Sequence, residues 1–413
     1  MKYGCIGERL CHSFSREIHT ALSDYEYELK EIPADELSNF LEAKEFSAIN
    51  VTIPYKERVI PHLYQLDGAA RSIGAVNTIV NKDGRLFGYN TDFYGMTKLL
   101  SHARVNVFRK KVAILGSGGT AKTARAVCEA LGAKEILTVS RREGDGAINY
   151  PTLYECHTDT EVIINTTPVG MYPSPYEVSL DISRFDKLTG VIDAIYNPLR
   201  TELVLSALER GIAAEGGLYM LVAQAVRASE IFLDTEYPEG TCEKIYEKIL
   251  REKENIVLIG MPGSGKSTVA GLLSVRLSRP VCDTDEIIVK RCGRDIPAIF
   301  SEDGEEVFRD IEAEVVRELS KFGGRIISTG GGAILRNDNV KALKMNGKLY
   351  FLDRSREELV PTEDRPLAKT REMIYKRYDE RYAKYVTAAD RIIKIDCPAD
   401  EVAKRIENEN LRT

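Results

Sequence analysis

Two glycine-rich segments in this chain have the residue types and spacing that bind phosphate groups. Residues 116–121, GSGGTA, follow the apolar run KVAIL, and residues 260–268, GMPGSGKST, follow the apolar run NIVLI. A helical pattern comes next in each case, so backbone N–H groups and a helix N-terminus would face an anionic ligand. The two segments therefore predict two separate nucleotide sites in one chain.

The first segment has the G-x-G-x-x-A spacing of a dinucleotide site. Gly116 permits the tight turn, Gly118 lets the backbone approach a pyrophosphate, and Ala121 allows close packing of the helix on the strand. The next strand ends at Ser140 and two arginines, of which Arg141 is the first. Enzymes that use NAD usually carry an acidic residue there, whereas a 2′-phosphate requires a cation. NADP is therefore favoured, and the alternative is that these are solvated arginines at a strand end.

The second segment fits the pattern G-x-x-x-x-G-K-S in full. Lys266 and Ser267 occupy the positions that contact phosphate and magnesium in a P-loop. Further on, the run VCDTDEII places Asp283 and Asp285 two residues apart at the end of a strand, where both can point into the same crevice. The alternative is that this pair only caps a helix. The segment predicts a site for ATP and Mg²⁺.

Composition and length exclude several classes of protein. A chain of 413 residues is too long for one core and indicates about two to four domains. A net charge of −6, with no basic block, argues against binding to nucleic acid. No apolar run is long enough for a secretory signal or a membrane span. The eight cysteines form no CxxC pair, which is typical of reduced thiols in a cytoplasmic protein.

The order of strand-like and helical runs predicts an α/β protein with three domains. Residues 1–104 alternate strands and helices, and the helices of residues 216–253 are expected to pack back on them as one discontinuous substrate-binding domain. Residues 105–215 alternate as a Rossmann domain that binds NADP. Residues 254–413 carry the runs NIVLI, VCDTD, RIISTGGG, KLYFLD and RIIKID, which predict a P-loop domain with a five-stranded parallel sheet.

Further motifs lie around the first glycine turn in a distinctive order. They are HSFS at 12–15, NVTIPYK at 50–56, AVNT at 75–78, GYNTD at 88–92, NTTPVGM at 165–171 and LVAQA around Gln224. Each alone is typical of a surface lysine or of a turn. Together they closely resemble shikimate dehydrogenase over roughly residues 1–250, and one departure is Arg16, where that family usually has proline.

This resemblance implies a substrate site and an NADP site. Ser13, Ser15 and Tyr196 would hold the substrate carboxylate. The ring hydroxyls and the reacting carbon would be surrounded by Thr52, Lys56, Asn77, Asp92 and Gln224. The NADP site would comprise Gly116, Ser117, Gly118, Gly119, Thr120, Ser140, Arg141, Ile195 and Gly217. Hydride delivery to a ketone builds negative charge on oxygen, which suits Lys56 as the catalytic cation and Asp92 as the group that orients it.

The second half resembles shikimate kinase from about residue 255 to the end of the chain. The motifs that carry the resemblance are the P-loop, the two aspartates, FRDIE at 308–312, STGGG at 328–332, RPL at 365–367 and ERYAKY at 380–385. The lid, SREELVPTEDRPLAK, is shorter than is usual for the family and has no arginine between Arg356 and Arg365. Such an arginine commonly flanks the adenine.

The kinase resemblance implies roles for individual residues. ATP would be bound by Gly263, Ser264, Gly265, Lys266, Ser267, Thr268 and Arg365. Ser267 would ligate Mg²⁺, and Asp283 would hold a magnesium-bound water. The acceptor would be bound by Asp285, which is the candidate base, and by Arg309, Gly331, Gly332 and Arg381. Arg309 and Arg381 suit a carboxylate because their guanidinium groups are planar bidentate donors. Arg365 would neutralise charge on the transferred group.

The two resemblances together predict a bifunctional cytoplasmic enzyme. It would reduce 3-dehydroshikimate to shikimate with NADPH and then phosphorylate the 3-hydroxyl with MgATP, without a nucleic acid or membrane partner. Three alternatives are open: a dehydrogenase half specific for quinate and NAD, a kinase half that acts on another small polyol, and one degenerate half kept as a structural module. The arginine after Ser140 argues against the first, the paired Arg309 and Arg381 against the second, and the complete set of candidate catalytic residues against the third.

Overall fold

The computed structural model describes residues 1–10, 13–144, 146–359 and 370–411. The chain divides into two compact units, Met1–Ile249 and Leu250–Thr413. The first unit contains two six-stranded sheets and the second contains one five-stranded sheet. The predicted α/β class, with a Rossmann-like parallel sheet and a second parallel sheet after it, is confirmed.

The first sheet is mixed, and its geometry brings several strand ends together. Its strands are β1 (Tyr3–Gly7), β2 (Tyr27–Glu31), β3 (Ala48–Val51), β4 (Gln65–Leu66), β5 (Thr78–Lys82) and β6 (Arg85–Tyr89), in the order β2-β1-β3-β5-β6-β4. β1 is parallel to β3, and β5 is antiparallel to both β3 and β6. The carboxyl ends of β1, β3 and β6 therefore meet the amino end of β5 at one edge of the sheet.

Six helices that begin in the described residues of the first unit precede or follow the second sheet in the chain, four before it and two after it. They are α1 (Ser15–Leu22), α2 (Leu37–Ala43), α3 (Gly68–Ile73), α4 (Asp92–His102), α8 (Leu218–Leu233) and α9 (Thr241–Lys253). α8 is buried over most of its length and packs against α1 and α4. A short 3₁₀ turn spans Ile60–His62. The domain limits at 104/105 and 215/216 stay predictions.

The second sheet is entirely parallel. Its strands are β7 (Lys111–Leu115), β8 (Glu135–Val139), β9 (Ala147–Ile148), β10 (Val162–Asn165), β11 (Gly190–Asp193) and β12 (Ala213–Glu215), in the order β12-β11-β10-β7-β8-β9. The helices α5 (Gly119–Ala130), α6 (Tyr150–Cys156) and α7 (Glu202–Glu209) and a 3₁₀ turn at Ile182–Arg184 connect them. Strands of a parallel sheet are usually buried on both faces, and all five residues of KVAIL are buried.

The sheet of the second unit is also entirely parallel, as predicted. Its strands are β13 (Asn255–Ile259), β14 (Val281–Asp283), β15 (Ile326–Ser328), β16 (Gly347–Asp353) and β17 (Arg391–Lys394), in the order β14-β15-β13-β16-β17. Along β13, Val257 and Ile259 enter one hydrophobic core, while Ile256 and Leu258 enter a second core on the opposite face. This alternation places β13 between two layers of helices.

Seven helices of the second unit lie within the described residues. They are α10 (Lys266–Leu277), α11 (Thr284–Cys292), α12 (Ile296–Glu302), α13 (Glu305–Ser320), α14 (Asn337–Asn346), α15 (Arg371–Ala388) and α16 (Ala399–Leu411), with 3₁₀ turns at Ala333–Leu335 and Arg356–Glu358. None of the helices in the described residues of either unit is long and apolar enough to cross a membrane.

The unit boundary lies inside α9, a few residues before the predicted limit at 253/254. The last residues of α9 belong to the second unit, in which the guanidinium of Arg279 donates hydrogen bonds to the carbonyls of Arg251 and Glu254. The domain limit at 253/254 stays a prediction.

Candidate active sites

The first candidate site lies at the sheet edge where β1, β3 and β6 end and β5 begins. Lys56 follows β3, Asn77 precedes β5, and Asp92 is the first residue of α4 after β6. Lys56 Nζ lies 2.6 Å from Asp92 Oδ2, and Asn77 Nδ2 donates to Asp92 Oδ1 at 2.9 Å. Both carboxylate oxygens are engaged, so the Asp92 side chain has a fixed orientation and in turn orients the Lys56 ammonium group.

Gln224 reaches the same edge from α8. Its Oε1 lies 3.4 Å from Asn77 Nδ2, and its Nε2 donates to the carbonyl of Leu221 at 2.8 Å. The N–H of Thr91 donates to Asn77 Oδ1 at 2.8 Å. The amide group of Asn77 therefore connects the predicted residues of β5, α4 and α8.

Two supporting residues of this site were not predicted from the sequence. Tyr27 OH donates to Asn50 Oδ1 at 2.7 Å, and Asn50 Nδ2 donates to the carbonyl of Asn77 at 3.2 Å. Asn50 belongs to the NVTIPYK motif, but no signal in the sequence connects Tyr27 to it. This buried chain holds Asn77 in place from beneath.

The residues predicted to hold a carboxylate lie around the start of α1. Ser13 Oγ donates to Ser15 Oγ at 3.0 Å, and the Phe14 ring lies 5.3 Å from the Tyr196 ring. Burial raises the pKa of Tyr196 to about 12, so its hydroxyl stays a neutral hydrogen-bond donor. Arg16, the departure from the family pattern, is exposed in the first turn of α1.

Thr52 lies directly after β3, at the same edge as Lys56. Its N–H donates to the carbonyl of Ile6 at 2.9 Å, and its methyl group lies against Gly7, the last residue of β1. This contact places the Thr52 side chain between the ends of two parallel strands, and its role in binding substrate stays a prediction.

The loop between β7 and α5 has the geometry of a pyrophosphate cradle. Gly116 has φ 113°, and a Cβ atom there would lie 2.7 Å from Thr166 Oγ1, so the position requires glycine. Ser117 is exposed, and a Cβ added to Gly118 would meet no atom within 4 Å. Open space therefore lies in front of the N–H groups that begin α5, where Gly119 and Thr120 are the first residues. The predicted loop fits a bound dinucleotide.

Ile195 and Gly217, which were predicted to face the nicotinamide, lie side by side. The Gly217 N–H donates to the carbonyl of Ile195 at 2.8 Å. Position 217 has no room for a side chain, because a Cβ added to Gly217 would overlap the carbonyl oxygen of Ala194.

Asp193, which sequence reasoning missed, supports this backbone. Its buried carboxylate accepts hydrogen bonds from Asn165 Nδ2 and from the N–H of Ile195, each at 3.0 Å, and from Thr201 Oγ1 at 2.7 Å. Burial raises the pKa of Asp193 to about 6. Two of its donors, Ile195 and Thr201, are close in sequence, and the third, Asn165, is 28 positions away.

The arginine predicted to select NADP follows β8. Arg141 and Arg142 are exposed, and within the described residues neither forms an ion pair. The Ser140 hydroxyl donates to the carbonyl of Arg142. Burial raises the pKa of Tyr150, and the nearby Arg141 charge partly offsets that rise. These cations are not neutralised by the described residues, so they are available to a 2′-phosphate.

The second candidate site is built on the loop between β13 and α10. Gly265 has φ 93°, a left-handed conformation that favours glycine, and Lys266 begins α10 directly after it. Lys266 Nζ donates to the carbonyls of Gly260 and Met261 at 2.9 and 3.1 Å. Ser264 Oγ is buried without a hydrogen-bond partner in the part of the chain that the structure describes. Gly263 and Thr268 complete the predicted loop, which fits a nucleotide phosphate.

The two predicted magnesium residues contact each other. Ser267 Oγ donates to Asp283 Oδ2 at 3.0 Å. Asp283 Oδ1 accepts hydrogen bonds from the N–H groups of Asp285 and Glu286, at 3.0 and 3.4 Å, and so caps α11. Asp283 therefore caps α11, as the alternative states, and also contacts the P-loop serine; its role in holding a magnesium-bound water stays a prediction. Hydroxyl and carboxylate oxygens suit Mg²⁺, which keeps several of its own waters.

The predicted acceptor residues surround residues 330–332, the glycine loop after β15. A Cβ added to Gly330 would lie 2.6 Å from Asp285 Oδ1 and 2.7 Å from Glu312 Oε1, and one added to Gly332 would overlap the Arg309 guanidinium. Gly331 packs against Pro262 of the P-loop. The absence of side chains in this loop lets charged groups approach its backbone.

The two predicted arginines reach this loop from different helices. Arg309 Nη1 on α13 donates to Glu312 Oε2 at 2.6 Å, and Arg381 Nη1 on α15 donates to the carbonyl of Gly331 at 2.9 Å. Burial raises the pKa of Glu312, an effect that the Arg309 charge partly offsets. Burial disfavours the charged form of Arg309, but the carboxylates of Glu312 and Glu305 outweigh it and its pKa is raised. Both arginines are buried.

Glu312 and Tyr385 belong to quoted motifs, but sequence reasoning gave them no role. Tyr385 OH lies 2.5 Å from the carbonyl oxygen of Gly331 and 3.0 Å from that of Gly260. It therefore joins the acceptor loop to the P-loop. The predicted lid arginine, Arg365, lies outside the described residues.

Two family models match the chain. The model of the shikimate dehydrogenase substrate binding domain matches residues 5–79, and the shikimate kinase model matches residues 262–410. A shikimate dehydrogenase (NADP(+)) from Clostridium perfringens (strain 13 / Type A) is 38% identical over 264 residues, which cover 60% of this chain and 97% of that protein.

Solved structures also match 60% of the chain. A chorismate mutase/shikimate 5-dehydrogenase fusion protein from Clostridium acetobutylicum is 36% identical, with a TM-score of 0.57 over 60% of this chain and 96% of that chain. A shikimate 5-dehydrogenase from Thermus thermophilus, in complex with NADP(H) and shikimate, is 25% identical, with a TM-score of 0.54 over 60% of this chain and 99% of that chain.

Proposed function

We propose a two-step function for this chain, which belongs to the shikimate dehydrogenase family and carries a shikimate kinase domain after that part. It reduces 3-dehydroshikimate to shikimate with NADPH and then phosphorylates shikimate with ATP to shikimate 3-phosphate. The observation that carries the proposal is that each compact unit has its own set of converging charged groups beside a phosphate-binding loop. A cytoplasmic location stays a prediction.

In the reduction, bound NADPH supplies a hydride to the carbonyl carbon of the substrate. Ser13, Ser15 and Tyr196 hold the substrate carboxylate with hydroxyl donors, which orients the ring. Lys56 Nζ then lies beside the carbonyl oxygen, where it stabilises the developing negative charge and donates a proton. Asp92, held at 2.6 Å from Nζ, keeps the ammonium group in position.

In the phosphorylation, bound MgATP supplies the phosphoryl group. Arg381 and Arg309 orient shikimate through its carboxylate, and the buried Nε of Arg309, which has no partner in the described residues, is one available donor. Asp285 accepts the proton of the attacking hydroxyl. Lys266 neutralises charge on the transferred group, and Ser267 with Asp283 would hold Mg²⁺.

Arg141 carries the proposed preference for NADPH. We expect the Arg141→Ala variant to lose most of the discrimination between NADPH and NADH, because a charge-assisted contact with the 2′-phosphate contributes about 1.5–3 kcal/mol. The measurement is kcat/KM for each cofactor, with Arg71→Ala, an exposed arginine of α3, as the control. Equal catalytic efficiency of the unmodified protein with both cofactors would contradict the assignment.

Separate assays of the purified protein test the two proposed activities. One follows the loss of NADPH absorbance on addition of 3-dehydroshikimate, and the other follows ADP formation on addition of shikimate and MgATP. The proposal requires both signals from the same preparation. Quinate with NAD in place of 3-dehydroshikimate with NADPH is the control for the alternative dehydrogenase specificity, and we expect it to give little activity.

A further inference from the structure

Arg354 is a charged residue beside the P-loop to which the steps above give no role. It is the first residue after β16, and the register between β16 and β13 pairs Phe351 with Ile259. The residues that follow the two strands therefore run side by side. A Cβ added to Gly260 would lie 2.9 Å from the carbonyl oxygen of Leu352. This approach brings Arg354 to the P-loop, where its Nη1 donates to the carbonyl of Gly263 at 3.4 Å.

The guanidinium of Arg354 has no anionic partner in the described residues. Its one hydrogen bond, to Gly263, is long and therefore weak, and its Nε is buried without any partner in the described part of the chain. Arg356 differs in both respects, because it is exposed and pairs with Glu357 at 3.1 Å and Asp379 at 3.5 Å. A partly buried cation without a counter-charge is unfavourable, so Arg354 gains most from an anion that binds beside it.

The position of Arg354 matches those of the other residues of the kinase site. In parallel α/β sheets, ligands bind outside the carboxyl ends of the strands. β13 is followed by the P-loop, β14 ends in Asp283, β15 is followed by the glycine loop, and β16 is followed by Arg354. Four neighbouring strands thus direct polar groups to one edge, and the fourth supplies a cation.

We propose that Arg354 binds a phosphate group of the nucleotide held by the P-loop. A planar guanidinium donates parallel N–H groups to phosphate oxygens, and the weak bond to Gly263 is exchanged for charge-assisted ones. The inference rests on the proposed function in taking a nucleoside triphosphate as the ligand. Arg354 follows β16, and Asp283 ends β14 on the other side of β13. A cation and a metal ligand would therefore flank the polyphosphate from opposite sides.

Binding measurements on the full chain test this assignment. The variants are Arg354→Gln, Arg354→Lys and, as the matched control, Arg356→Gln. We expect Arg354→Gln to bind ATP roughly 10- to 100-fold more weakly by calorimetry, as for loss of a charge-assisted hydrogen bond. Arg354→Lys should fall between it and the unmodified protein, and Arg356→Gln should be unchanged. The KM for shikimate and the rate of NADPH oxidation should be unaffected in all three.

Inorganic tripolyphosphate identifies the part of the nucleotide that Arg354 contacts. If the guanidinium binds phosphate, the inhibition of shikimate phosphorylation by tripolyphosphate should weaken in Arg354→Gln by about the same factor as the affinity for ATP. Weaker ATP binding with unchanged tripolyphosphate inhibition would assign Arg354 to the adenosine part and overturn the proposal. Unchanged ATP affinity in Arg354→Gln would also overturn the proposal. A lower Tm together with weaker binding of both ATP and shikimate would indicate a structural role for Arg354 and would overturn it as well.

The outcomes also distinguish this proposal from the proposed function. An unmodified protein that binds ATP but phosphorylates no shikimate would contradict the kinase activity, while the effect of Arg354→Gln on ATP binding could still be measured. If Arg354→Gln does not fold, Arg354→Lys, which keeps the charge and roughly the length of the side chain, replaces it in the test. Weaker ATP binding by Arg354→Lys than by the unmodified protein would support the proposal, and unchanged ATP affinity would overturn it.

Discussion

We expect the Lys56→Met variant to reduce 3-dehydroshikimate about 10²- to 10⁴-fold more slowly than the unmodified protein, the range for loss of a positioned acid–base group. Methionine keeps much of the length and the apolar stem of lysine but cannot donate a proton or carry charge. Asp92, left without the ammonium group 2.6 Å away, would stay bonded to Asn77. The measurement is kcat for NADPH oxidation under saturating substrate.

Two comparisons show whether the loss is specific to the site. Lys98→Met, which changes an exposed lysine on α4, should keep near-normal reduction. Shikimate phosphorylation by the Lys56→Met protein should also be unchanged, because the two sites belong to different compact units. Reduction that stays within a few-fold of normal in Lys56→Met would remove Lys56 from the proposed mechanism.

The Lys266→Met variant is expected to lose shikimate phosphorylation by at least about 10²–10³-fold, the scale for removing one positioned group that stabilises transition-state charge. Lys266 is buried at the start of α10, and its Nζ contacts the P-loop carbonyls of Gly260 and Met261. Bound ATP would replace these neutral acceptors with an anionic one. ADP formation in the presence of shikimate is the readout.

The matched control for this variant is Lys290→Met, which changes an exposed lysine near the end of α11. It should phosphorylate shikimate normally. NADPH oxidation by Lys266→Met should stay near normal and serves as an internal measure of folded protein. Loss of both activities in a Lys266→Met protein that remains folded would be incompatible with two independent sites.

The phosphate-binding loops could be predicted because their conformation depends on consecutive residues. Gly116 and Gly265 both have positive φ, and each lies between a buried strand and a helix, an arrangement that strand pattern and glycine spacing encode locally. The strands of the P-loop sheet were found for the same reason. The strands β4, β9 and β12, of two or three residues each, were not predicted.

The residues that support the sites could not be found in the same way. Tyr27 and Asn50 are 23 positions apart, and Tyr385 reaches Gly260 across 125 positions. Such contacts depend on how strands and helices pack, which single-sequence patterns do not report. The roles of the predicted site residues in binding substrate and cofactor stay predictions, and the variants described above test them.

The central claim is that one chain carries out two consecutive reactions, and the most direct test couples them. The unmodified protein is incubated with 3-dehydroshikimate and MgATP, with and without NADPH, and NADPH oxidised, ADP formed and phosphorylated product are measured. The account predicts no ADP without NADPH and, at completion with NADPH, equal amounts of NADPH oxidised, ADP and shikimate 3-phosphate. ADP formation that does not depend on NADPH, or NADPH oxidation with no phosphorylated product, would contradict it.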